Sequence, residues 1–103
     1  MQALLKNNLT KVNALLRTHK VKSAYAFGSV CTDQFTYKSD IDILLSFDDA
    51  LIEIENYADN YFDLTYTLEE LLGHEVDLVT ERSIKDPHFI KVMERTKTTL
   101  FND

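Results

Sequence analysis

An α/β (α+β) fold, with a small mixed β-sheet covered by helices, is what this 103-residue sequence predicts. Two observations carry that expectation. The hydrophobic pattern reads helix, strand, strand, helix, strand, helix, and the length allows one domain, residues 1–103, because a domain averages roughly 150 residues. Hydrophobic residues make up 45% of the chain, enough for a single core and too many for a disordered one.

Each element has its own signal. Leu5, Leu9, Val12, Leu16 and His19 recur at steps of four and three, the stripe of an amphipathic helix over about residues 2–19. Ser23–Phe27 alternates small and large side chains and stops at Gly28, as a strand entering a turn does. Polar residues 29–39 connect it to a second, strongly β-prone strand, Asp40–Phe47. Residues 48–59 are open between strand, helix and ordered loop. Tyr61, Leu64, Leu68, Leu71 and Leu72 mark a helix capped by Asp59 or Asn60 and stopped by Gly73. Glu75–Val79 is a short strand. Asp86 and Pro87 form a helix start, and the helix is expected to run to Lys97 with Phe89, Val92, Met93 and Thr96 inward. Thr98–Phe101 ends the chain as an edge strand.

Composition removes whole classes of function. The net charge is −6, and it is segregated: residues 39–81 hold thirteen acids and no Lys or Arg. Such a chain is a poor partner for nucleic acid or an anionic membrane. No apolar run approaches the ~20 residues of a membrane span, and the polar Asn7 and Asn8 argue against a signal peptide. The single Cys31 excludes an internal disulfide and points to a reducing, cytoplasmic setting, with Cys31 a packing or loop residue. Gly28 and Gly73 lie too far apart for a dinucleotide or phosphate loop, and the three isolated histidines match no zinc motif.

The chemistry-bearing residues lie near the strands. Residues two apart in a strand share a face, so Asp40 and Asp42 project together while Ile41, Ile43 and Leu45 face the other way. A D-x-D also occurs on plainly solvated strands, but three features add to this one. Asp77 is a third acid, in an apolar strand where an unpaired buried charge is costly. The helix at 60–72 makes a strand–helix–strand crossover, which places the strands of Asp42 and Asp77 side by side and parallel. Gly28-Ser29 closes the first strand with backbone N–H groups and a hydroxyl suited to phosphate. The turn and the carboxylates meet only if the first two strands run antiparallel.

Gly28-Ser29, ten residues, then Asp40-Ile41-Asp42 resembles the G-S-x10-D-x-D signature of the nucleotidyltransferase superfamily that includes DNA polymerase β. With its short length, its leading helix and its Val-Asp-Leu-Val strand, the chain is similar to the minimal nucleotidyltransferase (MNT) family over most of residues 2–101. That resemblance implies a nucleotidyltransferase-like fold and a two-metal Mg²⁺ site on Asp40, Asp42 and Asp77, with ATP as substrate. Gly28 and Ser29 would hold the β- and γ-phosphates. It further implies an antitoxin that transfers AMP to a tyrosine of an all-helical HEPN ribonuclease toxin, in a hetero-oligomer. The chain departs from many relatives at Val30, Cys31, Thr32 and Asp33, where they carry arginines and a glycine; Lys38, Arg82 and Lys85 are the bases that could compensate. The departure favours an alternative in which the antitoxin neutralises its partner by binding alone. Transfer to a small molecule is a third reading.

Overall fold

In a computed structural model, which describes residues 2–102, four strands form one mixed sheet in the order β3-β2-β1-β4. Met1 and Asp103 of the expected domain lie outside the described residues. Strand β1 (Val21–Phe27) pairs antiparallel with β2 (Ile41–Phe47) on one side and with β4 (Thr98–Asn102) on the other. β2 pairs parallel with β3 (Val76–Thr80), and helix α3 (Tyr57–Leu72) is the crossover between them. Both pairings needed to gather the carboxylates are therefore present.

The period of two sorts side chains between the faces. Ala24, Ala26, Ile41, Ile43 and Leu45 point toward α1 (Ala3–Asn7), α2 (Leu9–Thr18) and α3, and build the main core with Leu5, Val12, Leu16, Leu64 and Leu68. The opposite face carries a smaller apolar patch of Phe27 and Leu44 under Met93 of α4 (Pro87–Glu94). On that second face Asp42 stays half-buried and Asp77 exposed.

Several boundaries differ from the sequence reading, each for a local reason. The first helix is two: the Asn8 side chain donates to the Leu4 carbonyl at 2.8 Å, competing with the backbone and breaking the run there. Residues 48–59 are neither strand nor helix at their start but two 3₁₀ turns, Asp49–Leu51 and Ile54–Asn56. The second turn feeds α3 directly, so the helix starts at Tyr57 and neither Asp59 nor Asn60 caps it. Asn60 instead donates to the His19 carbonyl at 2.8 Å. β2 begins at Ile41, leaving Asp40 just outside it. Helix α4 has the expected Asp86 cap on the His88 N–H but ends at Glu94, and of its four expected inward residues only Met93 is buried. Val92 faces water, while Met93 fills the patch of Phe27 and Leu44 and the Phe89 ring meets Phe27 edge-on. Gly73 stops α3 at φ 70°, as expected.

Two sets of side chains fix α3 in place. His19 is buried, with its Nδ1–H donating to the Leu15 carbonyl at 2.7 Å and Nε2 lying 2.6 Å from the Asp63 carboxylate. At the other side, β3 is an edge strand, and α3 closes that edge. The Glu69 carboxylate accepts the Val76 N–H at 3.0 Å, and the Tyr61 hydroxyl donates to the Leu78 carbonyl at 2.5 Å. Among the described residues no helix is long and apolar enough to cross a membrane. Tyr61→Phe removes one of the two edge bonds and should cost about 1 kcal/mol in chemical denaturation. Tyr66→Phe, on the exposed side of the same helix, should stay within about 0.5 kcal/mol.

Candidate active site

The site is built where β1 ends. Gly28 leaves the strand at φ 75°, a left-handed conformation that favours glycine. The register sets Phe27 opposite Asp42, so the Asp42 carboxylate lies against Gly28. A Cβ on Gly28 would stand 2.6 Å from Asp42 Oδ2. Gly28 thus serves in two ways, by its backbone angle and by its missing side chain.

Residues Gly28–Cys31 then form a 3₁₀ turn held from three directions. Val30 plugs into the main core with no exposed surface. The Gln2 N–H donates to the Val30 carbonyl at 2.9 Å, and the Gln2 side-chain amide donates to the Thr32 carbonyl. The Gly28 N–H donates to Thr96 Oγ1 at 2.8 Å. The Gly28 N–H is therefore already engaged and is not the free donor expected for phosphate, while the half-buried Ser29 hydroxyl makes no hydrogen bond among the described residues. Cys31 is half-buried and packs on the core.

The loop that follows is anchored by a histidine with no metal motif. His74 Nδ1–H donates to the Ser39 carbonyl at 2.8 Å, and its ring packs on Phe35 at 4.9 Å between centroids. The Ile41 N–H donates to the Glu75 carbonyl at 2.9 Å, which starts the β2/β3 ladder. Asp42 and Asp77 stand directly opposite each other in that parallel ladder, about 4.8 Å apart at the backbone.

Burial, then the charge of Asp77, then that of Asp40 push the Asp42 carboxyl up from 3.8 to about 6. Tyr61 is also raised, by burial first and Asp77 second. Gly28, Ser29, Asp42 and Asp77 are thus brought together by strand pairing, and the exposed Asp40 acts on Asp42 by its charge. Of the three suggested bases, Arg82 stands elsewhere, Lys85 lines a groove with Arg82 and Ser83, and Lys38 is in the loop two residues before Asp40. Arg82 bonds Asp49 and lies 5.7 Å over the Tyr57 ring, beyond the far ends of β2 and β3; Lys38 sits over Tyr37. A cleft lined by Lys22, Phe47, Tyr57 and Arg82 is at that far end too, away from the carboxylates.

An all-oxygen site with clustered negative charge fits a hard divalent cation, which takes one or two carboxylates and completes its shell with water or phosphate. Among the described residues no three acidic, His or Cys side chains are gathered tightly enough to enclose a metal alone. Three residues that hold the turn or the loop after it had no signal in the sequence: Gln2, His74 and Thr96 bond to it from 30 or more residues away.

Comparison with known proteins identifies the family and the fold. The family model described as nucleotidyltransferase domain matches residues 9–98. A Methanocaldococcus jannaschii protein named as a candidate protein adenylyltransferase is 38% identical over 96 residues, covering 84% of this chain and 91% of its own. Among solved structures, a candidate minimal nucleotidyltransferase superposes with TM-score 0.73 at 28% identity, over 91% of this chain and 90% of that one. A chain of a toxin–antitoxin crystal structure with AMP-PNP gives TM-score 0.68 at 28% identity, over 93% and 74%. A chain of a Shewanella oneidensis complex, a tri-AMPylated HEPN toxin with its MNT antitoxin, gives 0.64 at 27% identity, over 95% and 72%.

Two expected outcomes follow from the geometry. A carboxyl raised on folding favours the folded state fully below pH 3.8, and that contribution is lost as pH rises through about 6. Asp42→Asn should therefore stabilise the protein at pH 8, by about 1 kcal/mol once solvent screening of the partly open carboxylate is allowed for, and not at pH 3.5. Thermal unfolding at the two pH values checks this. Gly28→Ala should cost about 1–2 kcal/mol from its backbone angle and its crowding of Asp42. In an Asp42→Ala background the crowding is gone, so a double-mutant cycle should show the two changes to be non-additive.

Proposed function

Because the chain belongs to the nucleotidyltransferase domain family and is a nucleotidyltransferase enzyme, we propose that it transfers AMP from ATP to a tyrosine of a HEPN ribonuclease toxin and so acts as an antitoxin. The observation that carries this reading is the seating of Asp42 against Gly28 with Asp77 beside it in register. The AMP-PNP in one structural neighbour and the AMPylated HEPN toxin in another support the choice of nucleotide and partner. A cytoplasmic location accords with the unpaired Cys31.

Asp40, Asp42 and Asp77 would hold Mg²⁺, in one or two sites. When bound, magnesium supplies positive charge between the carboxylates and the triphosphate and polarises the α-phosphoryl group. Ser29 donates its hydroxyl to a phosphate oxygen, and Gly28, whose missing side chain admits the Asp42 carboxylate, sets the phosphate-facing turn beside the acids. In the transfer, the acceptor's phenolic oxygen bonds to the α-phosphorus, the bond from that phosphorus to pyrophosphate breaks, and the phenolic proton passes to water. The chain's contribution is placement and charge.

The partner's surface has a counterpart on α3 and the turn before it. Ile54, Phe62 and Tyr66 are 90%, 66% and 60% exposed and lie at helical spacing on the outer side. Exposed Glu55, Asp59 and Glu70 border them, so a basic helical surface would cover this stripe well.

One observation favours neutralisation by binding alone. The turn after Ser29 carries Val30, Cys31, Thr32 and Asp33, and has no basic side chain of its own for the phosphates. Incubation with labelled ATP, Mg²⁺ and the co-purified HEPN partner separates the readings. Label should appear on the partner and fall at least about a hundredfold in Asp42→Ala. A partner that stays unlabelled yet inhibited would establish binding alone, and label on a small molecule the third reading. Phe62→Ser with Tyr66→Ser should weaken the complex at least about tenfold in a titration.

A further inference from the structure

We propose that Thr96 is a positioning residue of the nucleotide site, acting through Gly28. The proposal rests on the phosphate-binding role given above to the Gly28-Ser29 turn. Thr96 lies at the exit of α4, and its hydroxyl oxygen receives the Gly28 N–H at 2.8 Å across 68 residues of sequence. The hydroxyl's own proton is directed to the Met93 carbonyl at 3.4 Å, which orients the oxygen lone pairs toward Gly28. The same helix grips the residue before the turn: Met93 is buried on Phe27, and the Phe89 ring meets the Phe27 ring edge-on at 5.9 Å. Two residues beyond Thr96, Thr98 pairs with Ala26 of β1. The C-terminal helix and strand thus hold the end of β1 by its ring, its ladder and its last N–H.

That N–H matters because of what stands beside it. Gly28 is where the backbone turns at φ 75°, and the Asp42 carboxylate occupies the space of its missing Cβ. With Thr96 as acceptor, the Gly28 N–H is satisfied without Asp42, whose oxygens stay available to a cation. With the hydroxyl removed, the N–H needs another acceptor, and the adjacent carboxylate is the strongest one at hand. Either the turn loosens or Asp42 is drawn onto it. In both cases the Ser29 hydroxyl and the carboxylate lose their relative placement.

Thr96→Val keeps the shape and removes the hydroxyl, while Thr96→Ser keeps the hydroxyl. Two measurements on the whole protein decide the matter: calorimetric binding of ATP with Mg²⁺, and solvent exchange of the Gly28 amide by NMR without nucleotide. Thr96→Val should bind ATP about tenfold more weakly and exchange the Gly28 amide at least about tenfold faster, while still melting cooperatively. Thr96→Ser should restore both. Wild-type affinity in Thr96→Val, or equal loss in the Val and Ser variants, would overturn the role of the hydroxyl. A wild-type protein that binds no ATP would overturn the nucleotide-site reading itself, and this inference with it; ATP binding by the wild type with no effect of Thr96→Val rejects the inference alone. If Thr96→Val unfolds, Thr96→Ala and the exchange rate in Thr96→Ser against wild type provide the same comparison.

Discussion

The seating of the Asp42 carboxylate in the space a Cβ on Gly28 would fill is the constraint on which the site depends. It exists because β1 and β2 run antiparallel with Phe27 opposite Asp42, and because nothing larger than hydrogen projects from Gly28. A strand slipped by one residue would turn Asp42 into the core and Ile41 or Ile43 out to water, so burial of the isoleucines protects the register of the carboxylate. The same antiparallel register delivers the Ser29 hydroxyl to the end of the sheet where Asp77 also stands. Core packing and site geometry are here one requirement seen from the two faces of a strand.

The arrangement costs stability. Three carboxylates are held near one another, and the most buried of them is pushed up to about 6 by its surroundings. A sheet face optimised for folding alone would not place Asp42 opposite Asp77. The repulsion is tolerable because Asp77 and Asp40 remain exposed and because the core beneath is continuous. Uncompensated negative charge of this kind attracts cations, and under the proposed function it is what would let an acidic chain face a triphosphate. The two negative groups meet only with positive charge between them.

Much of this was legible in the residues. Gly28, Ser29, Asp40 and Asp42 stand at a spacing that identified a family, and the strand of Asp77 is apolar enough to make its acid conspicuous. The parallel pairing followed from the crossover rule, and the antiparallel one from the need for the Gly-Ser turn to meet the carboxylates. Elsewhere side chains take partners that periodicity does not show. Asn8 bonds back to Leu4 within its own segment and divides a helix, Asn60 turns to His19 rather than capping its own helix, and Thr96, beyond the end of α4, accepts from Gly28. Val30 looked like a departure from a basic turn, yet it is the apolar plug that seats that turn in the core.

By itself the sequence determined the fold class, the strand pairings and the identities of the acids, because hydrophobic periodicity and connection length are local properties of the chain. Only the tertiary structure decided how the Gly-Ser turn is held and that Arg82 is committed elsewhere. Gln2, His74 and Thr96 come from three separate segments, and Arg82 is committed to Asp49 and Tyr57 at the far end of the sheet. The physical reason is that a hydrogen bond is set by a few tenths of an ångström between groups that may be dozens of residues apart. Periodicity says which face a side chain is on, and says nothing of which atom it will meet there.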